Sequence, residues 1–315
     1  MSRYLRRVGL FVLLQASILA ILIVLLTPAT YQSEIAAKSH LLATAPPPRV
    51  ILVGGSNLSM GIDSPLLQEA LGGRYTPVNM GLNAGLGLEF ELNQALDGVR
   101  PGDVVVVSPE YETLWIPKME YPSLWLTLIA QPSAWAHVPA DRRIGALASF
   151  VSDNEPLAVA HFYATDGSYF LLGGGQGPYV KGGFNEFGDL TTAWNLPSQY
   201  VNAPVKVVGE PWLSVGLSES ADTLRRFVSQ CNAKGASVVY SYPPWAEGLF
   251  QMNQASVERT AQVLESKLPI SFLNDPNSLA PGNFYNTPYH LRGEAVQART
   301  RDLALGLRSY LGLET

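Results

Sequence analysis

The sequence predicts an α/β fold: a three-layer α/β/α sandwich around a parallel five-stranded sheet, with flavodoxin-like strand order as one arrangement. Three observations carry this. Short, wholly apolar runs such as residues 49–53 (RVILV) and the four valines 104–107 read as strands buried on both faces. Stretches with helical periodicity alternate with those runs, the rhythm of βαβ units. The chain of 315 residues is 47% hydrophobic and only 15% charged, which supplies a large core and excludes a disordered chain.

Each element has a local reason. The strand at 49–53 is stopped by Gly54-Gly55. Ser64-Pro65 opens a helix, with the serine as N-cap and the proline at the first helical position, and Gly72-Gly73 closes it. A strand over 75–80 leads into the glycine-rich loop 81–87 and a helix to about Leu96. Pro101-Gly102 turns the chain into the strand 103–108. Later come a helix near 221–233, a strand at 236–241, a helix at 255–268, a strand at 270–273 and a last helix at 292–311.

Between the third strand and the helix near Ala221 the rhythm breaks. Residues at about 111–215 read as an insertion at the carboxyl edge of the sheet, either a cap or substrate platform or a structural excursion. It holds Trp115, Trp125, Trp135, Trp194 and Trp212, and a glycine-rich stretch over 167–188.

The front of the chain has a different composition. Arg3, Arg6 and Arg7 precede the charge-free residues 8–27, which as a helix reach ~30 Å, the thickness of a bilayer core. Basic residues before the span and none close behind it put the N-terminus in the cytoplasm. The expected organisation is a cytoplasmic tip and transmembrane anchor at 1–28, a semi-rigid linker at 29–48 ending in three prolines, and a folded domain at 49–315. That domain then lies outside the inner (cytoplasmic) membrane, in the periplasm of a Gram-negative cell. The rival reading is a signal peptide cut near Thr27-Pro28-Ala29, although secretory apolar regions are shorter, about 7–15 residues.

Several function classes are excluded. A net charge of −5 with no basic run beyond the first seven residues argues against nucleic acid. The single cysteine, Cys231, rules out an internal disulfide and a cysteine-based zinc site. No ligand-spaced cluster points to a metal, and the glycine loops lack the Walker lysine and the Rossmann glycine pattern, so no cofactor is expected.

Ligands of open α/β sheets sit beyond the carboxyl ends of the strands. Those ends carry Gly54-Gly55-Ser56-Asn57, then Gly81-Leu82-Asn83-Ala84-Gly85, then Ser108-Pro109-Glu110-Tyr111, and Asn286-Thr287-Pro288-Tyr289-His290 precedes the last helix. A serine, glycine-flanked amides and a histidine on one edge are the parts for acyl transfer. Each also has a plainer reading. Ser56 can tighten a turn, His290 can cap the last helix, and Glu110 and Glu112 can be solvated strand-end carboxylates. The serine is not in an α/β-hydrolase elbow, because Leu58 replaces the second glycine.

On these residues the chain resembles the SGNH (GDSL-like) hydrolase and acyltransferase superfamily, most closely its membrane-anchored members associated with exopolysaccharide O-acetylation. The likeness covers about 50–112 and 236–311, with the segment 183–189 of the insertion. It implies Ser56 as nucleophile, His290 as base, and Gly81 or Gly85 as an oxyanion amide. It also implies a polysaccharide or acylated sugar as substrate, with a membrane-bound O-acyltransferase or polysaccharide synthase as partner. Two departures stand out. The family's Gly-x-Asn-Asp after the third strand is Ser108-Pro109-Glu110-Tyr111 here, so Asn57 or Asn83 would have to replace the missing oxyanion asparagine. The family's Asp-x-x-His has Thr287 at the acid position, which leaves the amide of Asn286 as third member, or an acid from Asp275 or Glu110. The implied function is an O-acetyltransferase or acetylesterase. The alternative is a non-catalytic scaffold or polysaccharide-binding subunit of an exopolysaccharide synthesis and export complex.

Overall fold

The computed structural model describes residues 2–27, 30–152, 159–161 and 177–313. Parts of the expected insertion and of its glycine-rich stretch, at 153–158 and 162–176, lie outside the described residues, as do Pro28 and Ala29 of the candidate cleavage site.

Five strands form one parallel sheet: β1 (Arg49–Val53), β2 (Thr76–Asn79), β3 (Val104–Val107), β4 (Ser237–Tyr240) and β6 (Ser271–Phe272), in the order β2-β1-β3-β4-β6. Between the last two, β5 (Trp245–Ala246) pairs with β7 (Ser278–Leu279) as a separate parallel ladder. The period of two in a strand splits the sheet residues between two cores. Ile51, Val53, Val105, Val107 and Val238 face one core, built with helices Leu88–Gly98, Trp212–Ala233 and Gln254–Lys267. Val50, Leu52, Val104, Val106 and Val239 face the other, with helices Ser64–Ala70 and Glu294–Leu311. Helices therefore cover both faces, and the strands read as continuous apolar runs for that reason.

The sheet reverses direction of growth between β1 and β3, which opens a crevice at their carboxyl ends. The loops after those two strands carry Ser56 and Glu110.

Four sequence expectations need correction. The N-cap of the helix Ser64–Ala70 is Asp63, whose carboxylate accepts from the Leu66 N–H, so Ser64 and Pro65 sit one position further in. The helix expected near Ala221 begins at Trp212, which ends the insertion earlier than 215. Its first turns hold Gly216 and three serines, poor helix formers that hide it. The glycine is required there, since a Cβ would lie 2.0 Å from the Trp115 carbonyl oxygen. The last helix starts at Glu294, after Gly293 turns at φ 54°. The largest correction is the linker. Glu34–Thr44 is a helix with Glu34, Ile35, Lys38 and Leu42 buried. Leu42 and Ala45 join the main core, so most of this segment is part of the globule.

One helix, Ser2–Leu26, is long and apolar enough to cross a membrane, with a mean hydropathy of 1.9 over Arg3–Ile23 and none of that window buried. In the insertion, Trp115 is core rather than platform: it is buried against Tyr111 and Trp245 and donates its indole N–H to Thr260 at 2.7 Å.

Candidate active site

Ser56 opens the short helix Ser56–Ser59 directly after β1. Gly54 and Gly55 make that turn possible, because neighbouring loops press on both. A Cβ on Gly54 would lie 2.4 Å from the Ser108 carbonyl oxygen, and one on Gly55 would lie 2.7 Å from the Ala84 Cβ. Arg299 of the last helix locks the same turn from below. Its guanidinium donates to the Asn57 carbonyl at 2.7 Å, to Asn57 Oδ1 at 2.9 Å and to Ser108 Oγ at 3.2 Å.

His290 is brought to Ser56 from the loop before the last helix. Its Nε2 lies 2.7 Å from Ser56 Oγ, and its Nδ1 lies 2.9 Å from both Asn286 Oδ1 and the Tyr179 hydroxyl. Tyr179 donates its own proton to Asn286 Oδ1 at 2.9 Å. Both neighbours of Nδ1 are therefore acceptors, which puts the ring proton on Nδ1 and leaves the Nε2 lone pair for the serine proton. The Thr287 hydroxyl accepts from the N–H groups of Tyr289 and His290 and shapes the loop. Ser56, His290 and Asn286 thus converge in one run of hydrogen-bond contacts.

The electrostatics are unusual. Burial pushes His290 down to about 4, and no carboxylate bonds it among the described residues. Glu110 is pushed up to about 7, first by burial and then by the like charge of Glu112. Its Oε1 faces both Ser56 Oγ, at 3.3 Å, and the Asn57 N–H, at 3.2 Å. Glu112 itself is raised by burial and takes a short hydrogen bond from the Tyr289 hydroxyl. Glu91, buried with neither carboxyl oxygen partnered among the described residues, is held well above its ordinary range by burial and then by the like charge of Glu110. Carboxyls raised by burial beside an imidazole lowered by burial are a pattern associated with functional sites.

Other expected site residues do different work. The Gly81 N–H already donates to Asn79 Oδ1 at 3.0 Å, and a Cβ there would strike the back of the serine turn. The Gly85 N–H donates to Asn83 Oδ1 at 2.9 Å. Neither amide is available to an oxyanion in this arrangement, and Asn83 serves as the cap of its own 3-10 turn. Asn57 is fully buried, donating to the Ser108 carbonyl at 3.0 Å, so its amide links the loops rather than facing a ligand. Asp275 is exposed, and Glu110 faces Ser56 Oγ and the Asn57 N–H rather than His290, so neither carboxylate bonds the imidazole. The Ser56 N–H, at the first helical position, remains without a partner among the described residues.

Two contributors had no place in the sequence reading. Tyr179 lies in the insertion, with no motif around it. Arg299 did leave a signal: it falls on the buried stripe Ala295, Val296, Arg299, Thr300, Leu303, Ala304 of an otherwise amphipathic helix. No group of three or more His, Cys, Asp or Glu residues that could hold a metal occurs among the described residues.

Comparison with known proteins adds no identity. No family model matches the chain, and no curated protein matches it.

Proposed function

We propose that this protein is a membrane-anchored, extracytoplasmic enzyme of the SGNH type that acts on acyl esters of an exopolysaccharide. The observation that carries the reading is the run Ser56 Oγ to His290 Nε2 at 2.7 Å, and His290 Nδ1 to Asn286 Oδ1 at 2.9 Å. Ser56 Oγ attacks the ester carbonyl while its proton passes to Nε2. Collapse of the tetrahedral intermediate breaks the ester C–O bond, and His290 returns the proton to the leaving alcohol. Water or a sugar hydroxyl then attacks the acyl-serine, giving its own proton to Nε2; the acyl–Oγ bond breaks to release an acid or a new ester, and His290 returns that proton to Ser56 Oγ. The Ser56 N–H donates to the developing oxyanion. Glu110 stands where the family has its oxyanion asparagine, and in its protonated form carries an O–H donor there. The apolar helix at the N-terminus would hold the domain at the outer face of the inner membrane, beside a membrane-bound O-acyltransferase or polysaccharide synthase.

A second reading, a non-catalytic polysaccharide-binding scaffold, is favoured by the Glu110 carboxyl in front of Ser56 and by the absence of an acid on His290. Labelling the purified full chain with a fluorophosphonate probe separates the two. The catalytic reading expects a covalent adduct at pH 6–7 that Ser56→Ala and His290→Ala both abolish; no adduct in wild type leaves the scaffold.

A further inference from the structure

The insertion contains a helix built inside out. Arg143–Ser152 turns Ala146 and Ser149 inward, both buried, while Ile144 is 80% exposed, Leu147 54% and Phe150 37%. From Ile144 to Ser152 the sequence IGALASFVS has no charged residue to solvate that outer face. An ordinary surface helix shows the reverse arrangement. Nearby, Tyr121–Ala130 is a short, strongly apolar helix with Trp125, Leu126 and Ile129 only partly buried.

These helices connect to the N-terminal span. Val159 is buried between Leu19, Leu22 and Ile23 of the span and Trp125, Leu126 and Ile129 of the second helix. The Phe150 ring, 4.5 Å from that of Trp125, continues the apolar surface to the inside-out helix. Leu19 and Ile23 precede Thr27, the end of the span's helical stretch, by eight and four residues. At ~1.5 Å per residue they lie about 6–12 Å inside the span's outer end, and whatever touches them shares that depth.

We infer that the outward face Ile144, Leu147 and Phe150, with the Trp125 helix behind it, is inserted in the outer leaflet of the bilayer that the N-terminal helix crosses. The inference rests on the anchor of the proposed function. A helix lying in the interface buries its apolar face ~5–10 Å below the headgroups, which agrees with the depth set by the span. The domain is therefore seated on the membrane by a second element as well as tethered to it, and its orientation is fixed. Water-facing exposure of three large apolar side chains on one helix is removed by the same contact.

Depth-dependent fluorescence tests this on the full chain in lipid nanodiscs. Single cysteines are introduced as Phe11→Cys in the span, Leu147→Cys on the outward face and Arg74→Cys before β2, and labelled with an environment-sensitive dye. Native Cys231 is buried, with its thiol pushed up to about 12, and stays unlabelled. With nitroxide lipid carrying its spin near the headgroup, the Leu147 probe is expected to lose emission at least about twofold, because its helix lies within ~10 Å of the headgroup level. The Phe11 probe, three residues from the opposite end of the span and so about 5 Å inside it at ~1.5 Å per residue, should be quenched by the same headgroup-level spin in the other leaflet, and the Arg74 probe should not be quenched. If Phe11 is quenched and Leu147 stays as bright as Arg74, the insertion is wrong and the anchor stands. A blue-shifted but unquenched Leu147 probe means that protein covers this face, which also overturns the bilayer as its occupant. An unquenched Phe11 removes the anchor, and the inference with it. The same measurement with Ile144→Cys must agree with Leu147→Cys, which guards against a local effect of the label.

Discussion

Both ends of the sheet bury an arginine, and they treat it in opposite ways. At the amino end, Arg49 is fully buried and meets Asp103 in a two-pronged pair, Nε to Oδ1 at 3.0 Å and Nη2 to Oδ2 at 2.5 Å. Its remaining donors go to the carbonyls of Leu42 and Gly98, and Asp103 also accepts from the Arg100 N–H. The two buried charges there are each other's partners. At the carboxyl end, Arg299 bonds only neutral oxygens, on Asn57 and Ser108. Burial raises the carboxyls of that end, Glu110, Glu112 and Glu91, above their ordinary range and pushes His290 down to about 4. Charge at the amino end is settled within the fold. At the carboxyl end it is held in suspense, where a small gain of interaction with a ligand or intermediate changes protonation.

The largest expected effect tests the settled end. Asp103→Ala leaves Arg49 buried without its counter-charge and should cost about 3–5 kcal/mol of unfolding free energy, read by urea denaturation. Arg49 and Asp103 sit at the strand ends opposite Ser56, so below the unfolding transition the fluorophosphonate rate per folded molecule should be unchanged. A large loss of rate in that folded fraction would show that the two ends are coupled.

A smaller effect is expected from completing the charge on the suspended end. Asn286→Asp places a carboxylate on His290 Nδ1, where the amide oxygen now lies at 2.9 Å. The histidine should rise from about 4 toward its ordinary 6.5, as followed by nuclear magnetic resonance of the ring. Hydrolysis of a small acetyl ester should rise about ten- to a hundredfold, well short of the ~10⁴ that the opposite exchange costs a serine protease. A raised histidine with no gain in turnover would break the link between charge and rate.

The smallest effect concerns Glu110. Its folded-state value is raised from 4.5 to about 7, so it favours the folded state below 4.5 and loses that contribution as pH rises through 7. The wild type should thus lose stability between about pH 4.5 and 7.5, and lose Ser56 labelling toward the top of that window, near 7, as the ionised carboxylate repels a developing oxyanion. Glu110→Gln should flatten both profiles across that window. Identical profiles for the two proteins would remove Glu110 from the site's titration.

The parts of the molecule legible in the sequence are those governed by local rules. Five apolar runs gave five strands, and their order placed Ser56 and Glu110 on adjacent loops, since topology follows from right-handed βαβ units. His290 and Asn286 were readable because both sit in the short loop before the last helix. Gly81, Gly85, Asn57 and Asn83 were misread for one reason. Glycine and asparagine serve tight turns as well as oxyanions, and only the hydrogen-bond partners tell which role holds. Tyr179 was illegible because no periodicity fixes where an insertion of about a hundred residues folds back. The segment 29–48 was misread because alanines and short polar residues before three prolines have the composition of a spacer. Its burial depends on Lys38 bonding the carbonyls of Asn79 and Gly188, at 2.8 and 2.6 Å, contacts made far along the chain.

That misread segment decides how far the Ser56–His290 pair can move from the end of the apolar helix. A free coil of twenty residues would have let the loops of Ser56 and His290 wander over about 25 Å from the end of the apolar helix. Instead Tyr31, four residues after Thr27, bonds the Leu82 carbonyl and lies edge-on to Tyr179 at 5.6 Å, and the Tyr179 ring is 6.0 Å from that of His290. Two ring contacts therefore separate the first described turn after the span from the serine–histidine pair. The height of that pair above Thr27 becomes a property of the fold, like the length of a rigid arm. Under the enzymatic reading proposed above, encounters are then confined to a thin slab at one altitude, within which an ester would have to be presented.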